Sequence, residues 1–174
     1  MRVRETFAIR VYKEYFNFGS AHFLIFADGS REQLHGHNYH VQVRIEGAVV
    51  EGDVVIDFIP LKPLVRRLCD ELDHVTLLPR DNPHLAIAFV GEGVEVRHSD
   101  GSLFRFPRGD VLILPVPNTS TEMLARHLAR RIAEALPGAI PGARAHALEV
   151  QVEESRGQSG ICRLDLELEP ASRP

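Results

Sequence analysis

The stretch from residue 35 to residue 46 constrains this chain more than any other. His35, His37, Tyr39, Val41, Val43 and Ile45 fall on one side of a strict alternation, and Asn38, His40, Gln42, Arg44 and Glu46 on the other. A period of two belongs to a strand with one buried and one wet face. Three more segments carry it. Val3, Phe7, Ile9 and Val11 alternate with Arg4, Thr6 and Arg10; Leu148, Val150 and Val152 with Glu149, Gln151 and Glu153; Cys162, Leu164, Leu166 and Leu168 with Arg163, Asp165, Glu167 and Glu169. Two segments have helical spacing instead. Leu61, Leu64, Val65, Leu68 and Leu72 form one stripe, with Pro60 and Pro63 expected in the first turn. Leu124, Leu128, Ile132 and Leu136 form another, opened by a capping box of Thr119 and Glu122 and stopped by Pro137 and Gly138. One-sided strands with two amphipathic helices predict the α+β class, an antiparallel sheet with helices on one face.

A chain of 174 residues buries roughly 70% of its unfolded surface, enough for one core, so residues 1–174 read as a single domain. Residues 79–116 interrupt the pattern with Pro79, Pro83, Pro107 and Pro115 and a small hairpin, VEVRH then SLFRF around Ser99, Asp100 and Gly101. This segment reads as an insertion too short for its own core. The tail Pro170–Pro174 reads as frayed. Twenty basic against twenty-four acidic residues, without a basic run, argue against a nucleic-acid binder. No stretch approaches the roughly 20 apolar residues that span a bilayer, and the N-terminal segment has no signal-peptide core. Cys69 and Cys162 cannot build a disulfide framework, which makes a cytoplasmic location the simplest reading.

The nine histidines carry the chemistry. His35 and His37 leave one face of one strand, a face otherwise apolar, and buried imidazoles need partners. A shared metal would satisfy both; a pair of hydrogen-bonded core histidines, or a partly exposed strand end, would also fit the pattern. Gly36 between them leaves room for a close approach to the backbone. His22 follows Phe16, Phe18 and Ser20 with matching parity and is the candidate third ligand. Three histidines with an open fourth position form the catalytic zinc pattern. His40 faces the polar side, His84, His98 and His146 lie in loop-like contexts, and His127 lies on a helix flank; these five read as bland.

Glu154 continues the inward row of Leu148, Val150 and Val152, so it reads either as a carboxylate for a ligand with adjacent N–H donors or as a strand end reaching water. Asp73 and His74 at the end of the first helix read as a proton relay or as a histidine favoured by the helix dipole. Asp57 reads as the cap of the helix near Pro60.

Six segments, FNFGSAHF, LHGHNY, GDVVIDF, ELDHVTLL, STEMLA and VQVEES, occur in one order and cover most of the chain outside 79–116. Together they resemble the 6-pyruvoyltetrahydropterin synthase family, which includes the 6-carboxytetrahydropterin synthases of queuosine biosynthesis. The resemblance implies the tunnelling fold: a four-stranded antiparallel sheet with two helices, assembled as a homo-oligomer, a hexamer, into a barrel with active sites at subunit interfaces. It implies zinc on His22, His35 and His37, a catalytic relay of Asp73 and His74, and Glu154 as anchor for the pyrimidine edge of a pterin. It also implies that Ser120, Thr121 and Glu122 help to hold the pterin, beside the capping role of Glu122. The family's cysteine base lies four residues before the first histidine of HGH, where this chain has Arg31; Glu32 follows and makes E-x-x-H-G-H. That pattern is similar to a branch with glutamate for cysteine, which forms 6-hydroxymethyl-dihydropterin from 7,8-dihydroneopterin triphosphate in folate synthesis. Met123 stands where the family often has asparagine.

On this reading Glu32 is the base, a role that near neutrality would need burial to raise it, and a hydroxyl made acidic by zinc is an easier target for it than a carbon-bound proton. Carbon–carbon cleavage of the side chain is therefore expected over isomerisation to a 6-pyruvoyl or 6-carboxy product. A cupin also uses His-x-His on a strand, but it expects a glutamate where Val41 and Gln42 stand. A non-catalytic zinc or pterin-binding protein of the same fold is the other competing reading.

Overall fold

The computed structural model describes residues 5–166. Val3, Leu168 and the tail Pro170–Pro174 lie outside these residues. Strand β1 (Phe7–His22) pairs antiparallel with β2 (His35–Gly47). Helix α1 (Phe58–Asp70) follows, then the short β3 (Val75–Pro79). Next come β4 (Leu85–Val90), β5 (Gly93–His98) and β6 (Leu103–Pro107), a 3-10 turn at Arg108–Asp110, and β7 (Val111–Leu114). Helix α2 (Thr121–Ala139), β8 (Ala145–Ser155) and β9 (Gln158–Asp165) complete the order. The main sheet runs β7-β3-β1-β2-β8-β9. Its four long strands are the antiparallel set that the alternation predicts, and β3 and β7 extend it on the β1 side through parallel pairing.

Both helices cover one face of this sheet. Leu61, Leu64, Val65 and Leu68 of α1, and Leu124, Leu128, Ile132 and Leu136 of α2, are buried against Tyr39, Val41, Val43 and Ile45 of β2 and Leu148, Val150 and Val152 of β8. The apolar row of each strand and the stripe of each helix meet in one core, the arrangement that removes both from water at about 25 cal/mol per Å².

The predicted boundaries needed correction in several places. Pro63 sits in the second turn of α1, where its missing N–H removes a helix hydrogen bond, and its ring is exposed. Leu72 is buried, but it lies beyond the helix end. Pro137 and Gly138 lie within the last turn of α2 and do not stop it at Leu136. No Thr119–Glu122 capping box forms: Ser120 is the N-cap, and Thr119 is fully buried with its hydroxyl donating to Phe23 O at 3.2 Å. Phe7 is exposed, so only Val11 of the first stripe is buried, with Ile9 half-buried against the core. Asp57 caps α1 as expected, accepting from Ile59 N at 2.8 Å. Replacing Asp57 by alanine should cost about 1 kcal/mol, seen as a lower denaturant midpoint at unchanged slope.

The inserted segment is more than a hairpin. β4, β5 and β6 form a three-stranded antiparallel sheet whose Val94 and Val96 pack on Phe23, Ile25 and Leu78. The small apolar cluster is thus shared with residues outside the insertion, which a count of the segment's own residues does not anticipate. No helix among the described residues is long and apolar enough to cross a membrane.

Candidate active site

The parity of β1 decides where His22 points. Between Tyr12 and Asn17 the register against β2 shifts: five steps along β1 face two along β2, from Tyr12↔Gln42 to Asn17↔His40. Such a bulge inserts an odd number of residues and exchanges the two faces of the strand. Val11 is therefore inward before the bulge, and Phe16, Phe18, Ser20 and His22 after it. His22 then lies directly across from His35, Ser20 from His37, and Phe18 from Tyr39. Glu154 arrives from β8, whose Val152 pairs with Val41 on the same face.

The result is a compact donor set. His22, His35, His37 and Glu154 each bring a ligating atom within 4.8 Å of the others, an arrangement that can hold a metal ion. The ring nitrogens are already sorted. His22 Nδ1 donates to Thr119 O at 3.1 Å and His35 Nδ1 to Gln33 O at 2.7 Å, which leaves the Nε2 lone pair of each ring for a cation. His37 Nε2 is buried without a hydrogen-bond partner; Glu154 Oε1 lies 2.8 Å away but outside hydrogen-bond geometry. A buried imidazole nitrogen without a partner is costly in a finished protein, and the donor set around it is one that a metal ion would satisfy. Burial, then the neighbouring His35, pushes His22 down to about 4, so it is neutral and ready to ligate at neutral pH. Tyr39 Oη lies 3.1 Å from His22 Nε2, and burial followed by the Glu154 and Glu32 charges holds its phenol protonated.

Glu32 sits at the rim of this set. Its Oε2 accepts from Leu24 N at 3.1 Å and lies 3.9 Å from His35 Nε2. The carboxylate is only half-buried.

A cleft of about 960 Å³ opens beside the cluster. His37 and Glu154 line it together with Gly19, Asn38, Asp73 and His74. Asp73 and His74 lie in the turn after α1, and the backbone of β1 holds them there. Gly19 N donates to Asp73 Oδ1 at 2.7 Å, and His74 N donates to Gly19 O at 2.7 Å. The Gly19 hydrogen bond, then the His74 ring, hold the Asp73 carboxyl below its ordinary value. Asp73 Oδ2 is 2.8 Å from His74 Nδ1, and the imidazole is otherwise open to the cleft. His74 has φ +58°, a left-handed conformation that costs a residue with a β-carbon of order 1 kcal/mol and that clusters at functional sites.

Ser120, Thr121 and Glu122 do not line this cleft. They open α2, and Gly160 of β9 packs so closely that a β-carbon there would lie 2.3 Å from Glu122 N. Gly36 contacts β1: a β-carbon at that position would meet Ser20 O at 3.0 Å. Of the histidines read as bland, His40 and His146 are exposed, whereas His98 is buried within the inserted sheet. Thr119, Gln33 and Tyr39 were missed as contributors. Two act through backbone carbonyls, which carry no side-chain signature, and the third reads as one more core residue of its strand.

A family model described as 6-pyruvoyl tetrahydropterin synthase matches residues 10–164. The chain belongs to the 6-pyruvoyltetrahydropterin synthase family. A Methanocaldococcus jannaschii protein provisionally named a 6-carboxy-5,6,7,8-tetrahydropterin synthase is 32% identical over 153 residues, covering 87% of this chain and 91% of its own. A Pyrococcus furiosus dihydroneopterin monophosphate aldolase is 43% identical over 53 residues, 30% of this chain and 46% of its own. Among solved structures, a catalytic-residue variant of Plasmodium vivax 6-pyruvoyltetrahydropterin synthase superposes with a TM-score of 0.86 at 32% identity, covering 94% of this chain and all of that one. The α+β architecture with two helices on the sheet is therefore the tunnelling fold, and the chain is an enzyme of this family.

Proposed function

We propose that the protein is a zinc-dependent lyase that acts on 7,8-dihydroneopterin triphosphate and cleaves its side chain to 6-hydroxymethyl-7,8-dihydropterin. The observation that carries this reading is Glu32 beside the three imidazoles, 3.9 Å from His35 Nε2, in a chain whose cysteines lie elsewhere at positions 69 and 162. Two relatives support it. The Pyrococcus furiosus protein is named an aldolase, and the Plasmodium vivax enzyme has a glutamate described as its catalytic residue, replaced by alanine or cysteine in two structures.

His22, His35 and His37 would hold the zinc, whose bound form supplies Lewis acidity to the side-chain hydroxyls. Glu154, at the mouth of the cleft beside His37, would receive the N–H edge of the pterin bidentately and so fix the side chain against Glu32. Glu32 would take the proton of the hydroxyl next to the bond that breaks. The departing carbon then leaves as an aldehyde carrying the triphosphate. His74, oriented by Asp73, would return a proton to the carbon left on the pterin, whose electron pair the ring can share. A hydroxyl proton suits a carboxylate base better than a carbon-bound one, which favours cleavage over isomerisation.

The assembly we propose is a homo-oligomer, a hexamer, with sites at subunit interfaces. β7 and β9 end the sheet as edges available for pairing, and Ile161 on β9 is exposed. Interfacial sites also account for Ser120, Thr121 and Glu122 lying outside the cleft of a single chain.

The competing reading is formation of a 6-carboxy- or 6-pyruvoyl-tetrahydropterin, favoured by the names of the Methanocaldococcus jannaschii relative and the Plasmodium vivax structures. Product identification by mass decides. Zinc-loaded protein given 7,8-dihydroneopterin triphosphate is expected to release 6-hydroxymethyl-7,8-dihydropterin, and exclusive formation of either tetrahydropterin would refute cleavage.

A further inference from the structure

Arg31 is gripped from a distance of some seventy residues. Its Nη2 donates to Ser102 Oγ at 3.0 Å and its Nε lies 3.5 Å from Asp100 Oδ2. Its guanidinium carbon stands 4.8 Å from the centre of the Phe104 ring and 6.0 Å from that of Phe23, two rings stacked 5.2 Å apart. The Nε is buried without a hydrogen bond of its own, so the cation is held by the Asp100 charge, the Ser102 hydroxyl and the ring faces. The grip is itself rigid. Asp100 Oδ1 accepts from Ser102 N at 2.7 Å and lies 3.0 Å from Nδ1 of His98, whose side chain is wholly enclosed. Asp100, Ser102 and Phe104 all belong to the β5–β6 turn or to β6, within the inserted segment.

The other terminal nitrogen of Arg31 reaches the residue proposed above as the base. Nη1 donates to the main-chain carbonyl of Glu32 at 2.9 Å, while Glu32 N donates to Leu24 O at 2.9 Å. The backbone of Glu32 is thus pinned from both sides, and its carboxylate is aimed by Leu24 N toward His35. A guanidinium paired with the carboxylate itself would weaken it as a base. Here Asp100 takes the arginine's charge, and Glu32 is touched only through its carbonyl.

We propose that Arg31 is a positioning residue for Glu32, and that the inserted β4–β6 sheet acts on the reaction by holding Arg31 through Asp100, Ser102 and Phe104. The proposal rests on Glu32 being the base. A base displaced by about 1 Å costs up to about 100-fold in rate without loss of binding. Arg31→Met and Asp100→Asn are therefore expected to lower kcat on 7,8-dihydroneopterin triphosphate by about 10–100-fold and by less, respectively, with KM and zinc content retained.

The decisive measurement is a double-mutant cycle. If Arg31 acts through Glu32, Arg31→Met in a Glu32→Gln background leaves the residual single-turnover rate where Glu32→Gln alone put it. Equal losses in both backgrounds, or full kcat in Arg31→Met, would overturn the positioning role and leave the base assignment standing. Full turnover in Glu32→Gln alone would overturn the base assignment, and the positioning role with it. Asp100 lies on an exposed turn, so Asp100→Asn carries the cycle if Arg31→Met does not fold.

Discussion

A His37→Ala protein is expected to fold, to lose its bound zinc and to have no measurable turnover. His37 lies across from Ser20 at the end of β2 with one face toward the cleft, so removing its ring empties a site and leaves the main core intact. Outer-shell partners of metal ligands are commonly worth about 10–100-fold in affinity, and a direct ligand should cost more than that. Elemental analysis after dialysis reads the metal, and circular dichroism with a thermal midpoint reads the fold. Retention of stoichiometric zinc by His37→Ala would remove this residue from the donor set. Acidification should act in the same direction on the wild type, because ligating imidazoles must be unprotonated: zinc is held at neutral pH and released as the solution is taken toward pH 4, where the depressed His22 begins to charge.

Glu32→Gln should reduce kcat by about 100- to 10,000-fold, the range general-base groups supply, while zinc content stays whole. The amide keeps the shape and the acceptor oxygen that meets Leu24 N, but it cannot take a proton. A loss confined to kcat, with substrate affinity little changed, marks an interaction used in the transition state. Unaltered turnover with zinc and ligand retained would remove Glu32 from the catalytic groups. The same variant separates the proton-relay pair from the base. If Glu32→Gln still releases cleaved product slowly, Asp73 and His74 are sufficient for a background reaction.

Much of the fold was legible from local periodicity. Period two and period 3.6 are set by the backbone of each strand and helix, so the rows of Tyr39–Ile45, Leu148–Val152 and Leu124–Leu136 identify themselves without reference to their partners. The pair His35 and His37 is legible for the same reason, since neighbours two apart on a strand must share a face. Helix ends were less so: Pro137 and Gly138 stay inside α2 because a carboxyl-terminal turn gives up little when it loses one hydrogen bond. Strands β3 and β7 escaped notice because each is four or five residues long and is stabilised by pairing with the other and with β1.

What the sequence by itself determined is therefore the class of the fold, the two imidazoles that share a face with His22 as candidate third, and an E-x-x-H-G-H segment with no cysteine beside it. The tertiary structure alone decided the rest. A bulge in β1, visible only against β2, turns His22 inward to meet the other two rings. The Thr119 carbonyl, ninety-seven residues away, orients that ring, and a turn some seventy residues beyond Arg31 pins the backbone of Glu32. Each of these depends on where distant backbone groups and side chains come to rest, and a periodicity read over a dozen residues carries no information about contacts made at that separation.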